Sequence, residues 1–108
     1  MTGAAQGIGR AIAGLLAARG YQVVAADVKA PLGPLPAEIH YLKTDVANET
    51  SVRAAVRTAL RRLGRLDALI SNAGIASPVN GPVEKLSLRE RNRRLGVNLT
   101  GAFLMAKY

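Results

Sequence analysis

Three glycines open the first helical pattern of the chain, in Thr2-Gly3-Ala4-Ala5-Gln6-Gly7-Ile8-Gly9. Glycine permits a tight turn and a close backbone approach, and a helix beginning there offers unpaired N–H groups to an anion. The helix dipole adds only about 0.3–1 kcal/mol for a nearby negative charge, so geometry governs such a site more than charge does. This chemistry suits a pyrophosphate, and a side chain at Gly7 is expected to obstruct it. Asp27 follows 18 residues after Gly9, at the end of an apolar run. A carboxylate there can accept hydrogen bonds from an adenosine ribose and repel a 2′-phosphate. Singly, the two features read equally well as a loop without function and a surface acid. Their spacing favours a dinucleotide site that prefers NAD to NADP.

The elements that must hold these residues follow from periodicity. Ile8, Ala11, Ile12, Leu15 and Leu16 share one helical face, and Gly20 caps the end. Tyr21–Asp27 is almost wholly apolar, as a strand covered on both faces should be. Residues 28–38 carry Pro31, Gly33, Pro34 and Pro36 and are expected to form an extended connection. Ile39–Thr44 reads as a short strand whose His40 and Lys43 suit a sheet edge. Asn48 then caps a helix with Val52, Ala55, Val56, Ala59, Leu60 and Leu63 on one face, ended by Gly64. Leu66–Asn72 is expected to be a further strand, followed by a loop with Pro78, Gly81 and Pro82. Ser87 and Glu90 form a capping box for a last helical region. There Leu88, Leu95, Leu99, Ala102, Phe103 and Ala106 recur at helical spacing as far as Tyr108. No repeat or interdomain linker divides the chain.

Composition narrows the functional classes. With 49% hydrophobic and 20% charged residues the chain is globular, and 4% aromatic residues give no base-stacking platform. It has no cysteine and a single histidine, His40, so neither a disulfide framework, a thiolate metal site nor a histidine cluster can be built. A reducing, cytoplasmic setting is expected. Arg10 before the apolar run Ala11–Ala18 raises the possibility of a leader peptide, but Gly14 interrupts the run, which is also too short to cross a bilayer. The net charge of +8 invites a nucleic-acid reading. However, Arg53, Arg57, Arg61, Arg62 and Arg65 fall opposite the apolar face of their helix, where charge is ordinary solvated surface. A Ser-His-Asp reading fails for want of a nucleophile motif around His40. Ser71 is expected to be structural.

The pattern Thr-Gly-x-x-x-Gly-Ile-Gly resembles the cofactor turn of the short-chain dehydrogenase/reductase family. Asp45-Val46, Asn72-Ala73-Gly74 and Asn98-Leu99-Thr100-Gly101 match further motifs of that family in the same order. Alone, Asp45 also reads as a helix-flanking acid, Asn72 as a turn residue and Asn98 as a residue at a helix bend. The resemblance implies an α/β fold of the Rossmann type, a doubly wound parallel sheet. It implies cofactor contacts at Gly3, Gln6, Gly7, Ile8, Gly9, Asp27, Asp45, Val46, Asn72, Ala73 and Gly74. Asp45 would receive the adenine amino group, Asn72 would brace the sheet, and Asn98 would belong to the catalytic tetrad. The reaction implied is hydride transfer between NAD and a small secondary alcohol or ketone, in a homo-oligomer that binds neither nucleic acid nor membrane.

The family's proton-transfer pair is Tyr-x-x-x-Lys, with a separate serine. Here Tyr21 is followed four residues on by Ala25, Tyr41 by Asp45, and Tyr108 is the last residue. Only Met1 stands before the turn, where a buried strand belongs, and Arg91 replaces an aromatic residue common in relatives. A complete enzyme of this kind has roughly 200–250 residues. The sequence-based expectation is therefore one incomplete domain, cut at both ends, with strand order 3-2-1-4, its middle strand missing, and poor stability in isolation. A non-catalytic nucleotide-binding remnant is the alternative.

Overall fold

The computed structural model describes residues 1–76 and 82–108; Pro78 and Gly81, assigned above to a loop, lie outside the described residues. Helix α1 (Gly7–Ala18) is followed by strands β1 (Val23–Asp27) and β2 (Ile39–Lys43) and helix α2 (Glu49–Leu63). A 3₁₀ turn at Val83–Lys85 leads to α3 (Leu88–Leu95), a π-helical turn (Gly96–Thr100) and α4 (Gly101–Lys107). The local signals explain the boundaries. Asn48 Oδ1 accepts the Ser51 N–H at 2.9 Å, and Gly64 ends α2 in the left-handed region at φ +74°. Ser87 accepts the Glu90 N–H at 3.2 Å. The Glu90 side chain turns instead to Arg93 and Arg94, so only half of the capping box forms.

β1 and β2 pair in parallel, with Val23 opposite Ile39 and Asp27 opposite Lys43. The connection between them holds no helix, as its prolines dictate. Val23, Ala25 and Ile39 pack with Ala4, Ala13 and Ala17 on the α1 side. On the other face Val24 and Ala26 border a space of about 260 Å³ shared with Ala55, Val56 and Ala59 of α2. Val52, Val56 and Leu104 join α2 to α4. Helices thus cover both faces of a parallel sheet, the doubly wound α/β arrangement.

Three sequence expectations are corrected. Residues 66–72 form no strand: among the described residues the one backbone–backbone bond to a neighbour there is from Thr2 N–H to Ile70 O at 2.9 Å. A strand needs a ladder of such bonds, and one rung does not make one. Leu66 stays exposed beside a cleft of about 440 Å³ bordered by Met1, Val23 and Val24, and Leu69 stays exposed beside the 260 Å³ space. Second, the middle position of the sheet holds no strand, as expected, yet a single bridge from Thr2 to Ala26 occupies it. Gly3 N–H donates to Ala26 O, Ala26 N–H to Met1 O, and the buried Met1 ammonium to Val24 O, so residues 1–3 pair along the free edge of β1. The sheet has two strands, with residues 1–3 and then the segment at Ile70 lying beside β1 in place of the further strands expected.

Third, the largest apolar side chains are not the buried ones. α1 turns Gly9, Ala13 and Ala17 inward while Ile8 is 74% exposed. In the last helical region Leu99 and Phe103 face outward and Gly101 and Leu104 are buried. A Cβ on Gly101 would stand 2.7 Å from Val46 Cγ2, so the helix lies too close to that residue to present any side chain there. No helix among the described residues is long and apolar enough to cross a membrane. Val52 is fully buried whereas Leu60 is 42% exposed. Val52→Ala is therefore expected to destabilise the fold by about 2 kcal/mol, and Leu60→Ala by under about 1 kcal/mol, in urea unfolding.

Candidate functional site

The site begins at Thr2, whose side chain has no exposed surface. Its Oγ1 accepts the N–H groups of Asn72 and Ala73, each at 3.0 Å. In return Asn72 Nδ2 donates to Thr2 O and Gly3 O, both at 3.1 Å. This reciprocal lock joins positions seventy residues apart and sets the Asn72-Ala73-Gly74 segment against the glycine turn. The glycines fit the lock tightly. At Gly3, φ is +65° and a Cβ would lie 2.9 Å from Ala73 Cα; at Gly9 a Cβ would lie 2.0 Å from Gly3 O. Gly7 differs: its φ is +57°, yet a Cβ there would meet no protein atom within 4 Å.

That open space belongs to a cavity of about 800 Å³ at the carboxyl ends of β1 and β2. Gly3, Gln6, Gly7, Ile8, Gly9, Asp27, Asp45, Val46, Asn72, Ala73 and Gly74 all line it. Gln6 precedes α1 without a side-chain bond to the helix, which leaves the first-turn N–H groups free of any such cap. The Asp27 carboxylate is held at both oxygens, by Ala5 N–H and by Lys29 N–H, each at 3.0 Å. Each oxygen keeps a further lone pair for another donor. The Tyr41 hydroxyl donates to Asp27 O at 3.2 Å; burial, then the Asp27 charge, raises the pKa of that phenol. Asp45 Oδ1 accepts Ala47 N–H at 2.9 Å, an Asx turn that leads towards α2 and leaves the acid exposed.

Asn98 does not line the cavity. It sits in the π-helical turn, where Oδ1 accepts Ile75 N–H at 2.8 Å and Nδ2 donates to Ile75 O at 3.0 Å. Its amide thus behaves as a strand partner for Ile75, which does line the cavity. π turns often mark places where a helix is bent to a purpose, and this one separates the α3 wall of the cavity from the contact of Gly101 with Val46.

Sequence reasoning missed part of the lining: Val28, Lys29, Thr44, Ala47, Ile75, and Asn92, Arg93, Gly96 and Val97 of the α3 region. Only Gly96 carried a signal, as a small residue just before Asn98 in an arginine-rich helix. Arg93 is engaged by Glu90 through two bonds of 2.9 and 3.0 Å, and hydrogen bonding from Arg93, then from Arg94, holds the Glu90 carboxyl below the usual range.

Two substitutions separate packing from open space. Gly9→Ala is expected to break the lock and cost about 3 kcal/mol or more, lowering the thermal midpoint by more than about 10 °C, whereas Gly7→Ala, which adds only left-handed strain, costs about 1–2 kcal/mol. Thr2→Val leaves two N–H groups without their acceptor and is expected to cost about 2 kcal/mol or more in urea unfolding.

Residues 1–108 match the family model described as short chain dehydrogenase. The chain is 40% identical to momilactone A synthase of Oryza sativa subsp. japonica, covering all of this chain and 42% of that protein. It is 38% identical to cis-4-hydroxycyclohexanecarboxylate dehydrogenase of Sinomonas cyclohexanicum, covering 100% of this chain and 46% of the relative. Among solved structures, 3-ketoacyl-(acyl-carrier-protein) reductase of Brucella melitensis complexed with NADH superposes with a TM-score of 0.90 at 34% identity, over 98% of this chain and 46% of that one. The chain therefore spans less than half the length of these relatives. With the Rossmann-type fold, the ordered motifs and the match over its whole length, the chain belongs to the short-chain dehydrogenase family of oxidoreductases.

Proposed function

We propose that this chain is the NAD-binding part of an oxidoreductase that moves hydride between the cofactor and a small secondary alcohol or ketone. The observation that carries the proposal is the cavity of about 800 Å³ in which the glycine turn, Asp27, Asp45-Val46 and Asn72-Ala73-Gly74 converge. Its residues suit a dinucleotide. The open space over Gly7 leaves room for a pyrophosphate beside the free N–H groups of α1. Asp27 has unused lone pairs for a ribose diol and a charge that disfavours a 2′-phosphate. Asp45 and Val46, at the end of β2, would hold the adenine. When bound, the nicotinamide supplies the hydride chemistry.

The roles left to this chain are binding and orientation. Asn72 would keep the glycine turn at its distance from the cofactor. Asn98, bonded at both amide atoms to Ile75, would fix the wall on which the nicotinamide end rests. Neither Tyr21 nor Tyr41 is followed by lysine at the fourth residue, so no proton-transfer pair is assigned within these 108 residues. The outward face of Leu95, Leu99 and Phe103 is the surface through which the protein would self-associate.

Calorimetric titration of the protein expressed from its native reading frame tests the cofactor reading. NAD is expected to bind at least about tenfold more tightly than NADP, a difference of about 1.4 kcal/mol, and Asp27→Asn to remove most of that preference. Equal affinity of the unaltered protein for both cofactors overturns the role given to Asp27. Gly7→Ala is expected to weaken NAD binding more than its modest effect on stability explains.

A further inference from the structure

We infer that Arg10 is a positioning residue for the adenosine end of the cavity, clamping the proline-rich segment 30–36 from the side of α1 and so fixing the Asp27–Lys29 wall. The inference rests on the nucleotide-binding reading above. Arg10 lies in the first turns of α1, just beyond the glycines, and its guanidinium spans two main-chain carbonyls. One terminal nitrogen donates to Leu32 O and the other to Pro34 O, the latter at 3.3 Å. These acceptors lie two residues apart, with Gly33 between them at φ +78°.

The segment has few other means of staying in place. It forms neither helix nor strand, and Pro31, Pro34 and Pro36 have no N–H to donate. Among the described residues, the bonds from Arg10 are the only hydrogen bonds that join residues 30–35 to the rest of the chain. Leu35 adds an apolar contact with the cluster of Ala13, Ala17 and Val23. The planar fork of arginine is what lets one side chain reach both carbonyls; a lysine ammonium, a point donor, can serve one at a time.

The consequence reaches the site through the chain itself. Arg10 and residues 30–36 do not line the cavity, but Val28 and Lys29, immediately before them, do. Lys29 N–H also supplies one of the two bonds that hold the Asp27 carboxylate. With the clamp cut, residues 28–36 gain freedom, and binding at the adenosine end must then bear the entropy of ordering them.

The test uses Arg10→Ala, Arg10→Lys and Arg10→Met in the protein expressed from its native reading frame. NAD, ADP-ribose and nicotinamide mononucleotide are titrated by calorimetry, and tryptic cleavage after Lys29 is timed without ligand. Arg10→Ala is expected to raise the Kd of NAD and of ADP-ribose together by about three- to tenfold, to leave nicotinamide mononucleotide unchanged, and to speed cleavage after Lys29. Arg10→Lys should recover only part of both effects. Arg10→Met keeps the apolar stem and removes the donors, so it reports on the clamp should the alanine variant not fold. Unchanged cleavage and unchanged ADP-ribose affinity overturn the inference, as does an equal loss for all three ligands. If the unaltered protein binds neither NAD nor ADP-ribose, the proposed function falls, while the cleavage rates still decide whether Arg10 holds the segment.

Discussion

The structure depends on one buried hydroxyl. Thr2 Oγ1 accepts two backbone N–H groups from Asn72 and Ala73, and Asn72 returns two bonds to the carbonyls of Thr2 and Gly3. Four hydrogen bonds at so small a junction hold the glycine turn against the Asn72-Ala73 segment. They leave no room for a side chain at Gly3 or Gly9. A donor or acceptor left unpaired there would cost more than the net worth of the bond, which is why such a junction is all or nothing.

From this junction the rest of the site follows. Residues 1–3 lie along β1, and the carboxyl end of β1 places Asp27 where Ala5 N–H can reach it. On the far side, Gly101 brings its helix against Val46 and places Asn98 beside Ile75. The close backbone contacts at Gly3, Gly9 and Gly101 thus set the distances between the elements around the cavity. The apolar core is correspondingly modest, with alanine forming much of it, and the big apolar side chains at Ile8, Leu99 and Phe103 face outward. Such a chain gains specificity from exact contact distance and less from sheer buried area.

Much of this was legible in the residues. The glycine spacing and the acid after the first apolar strand, with the Asp45-Val46 and Asn72-Ala73-Gly74 motifs that the family resemblance supplied, named eleven residues that lie around the cavity. α2 was largely legible, because its capping residue, the buried Val52, Ala55, Val56 and Ala59 and the terminal glycine agree, although Leu60 on the expected face is exposed. The arginines opposite that face are exposed, as its periodicity implies. By contrast, Leu66–Asn72 has the composition of a strand but lacks a ladder, because strand formation is a property of a pair rather than of a segment.

The sequence by itself determined helices α1 and α2, strands β1 and β2, the extended proline-rich connection, and the glycine turn and acid that meet at the cavity. These follow from local stereochemistry and from periodic polarity, which act over a few residues at a time. Only the tertiary structure decided which faces of α1 and α4 turn inward, that the hydroxyl of Thr2 is the junction of the site, that Asn98 pairs with Ile75, and that Arg10 reaches over to Leu32 and Pro34. Each of those depends on the distance between elements far apart in the chain. Periodicity records which side of an element is apolar, but not how closely a neighbour approaches; where the approach is closest, glycine and alanine displace the larger residues that hydropathy alone would place inside.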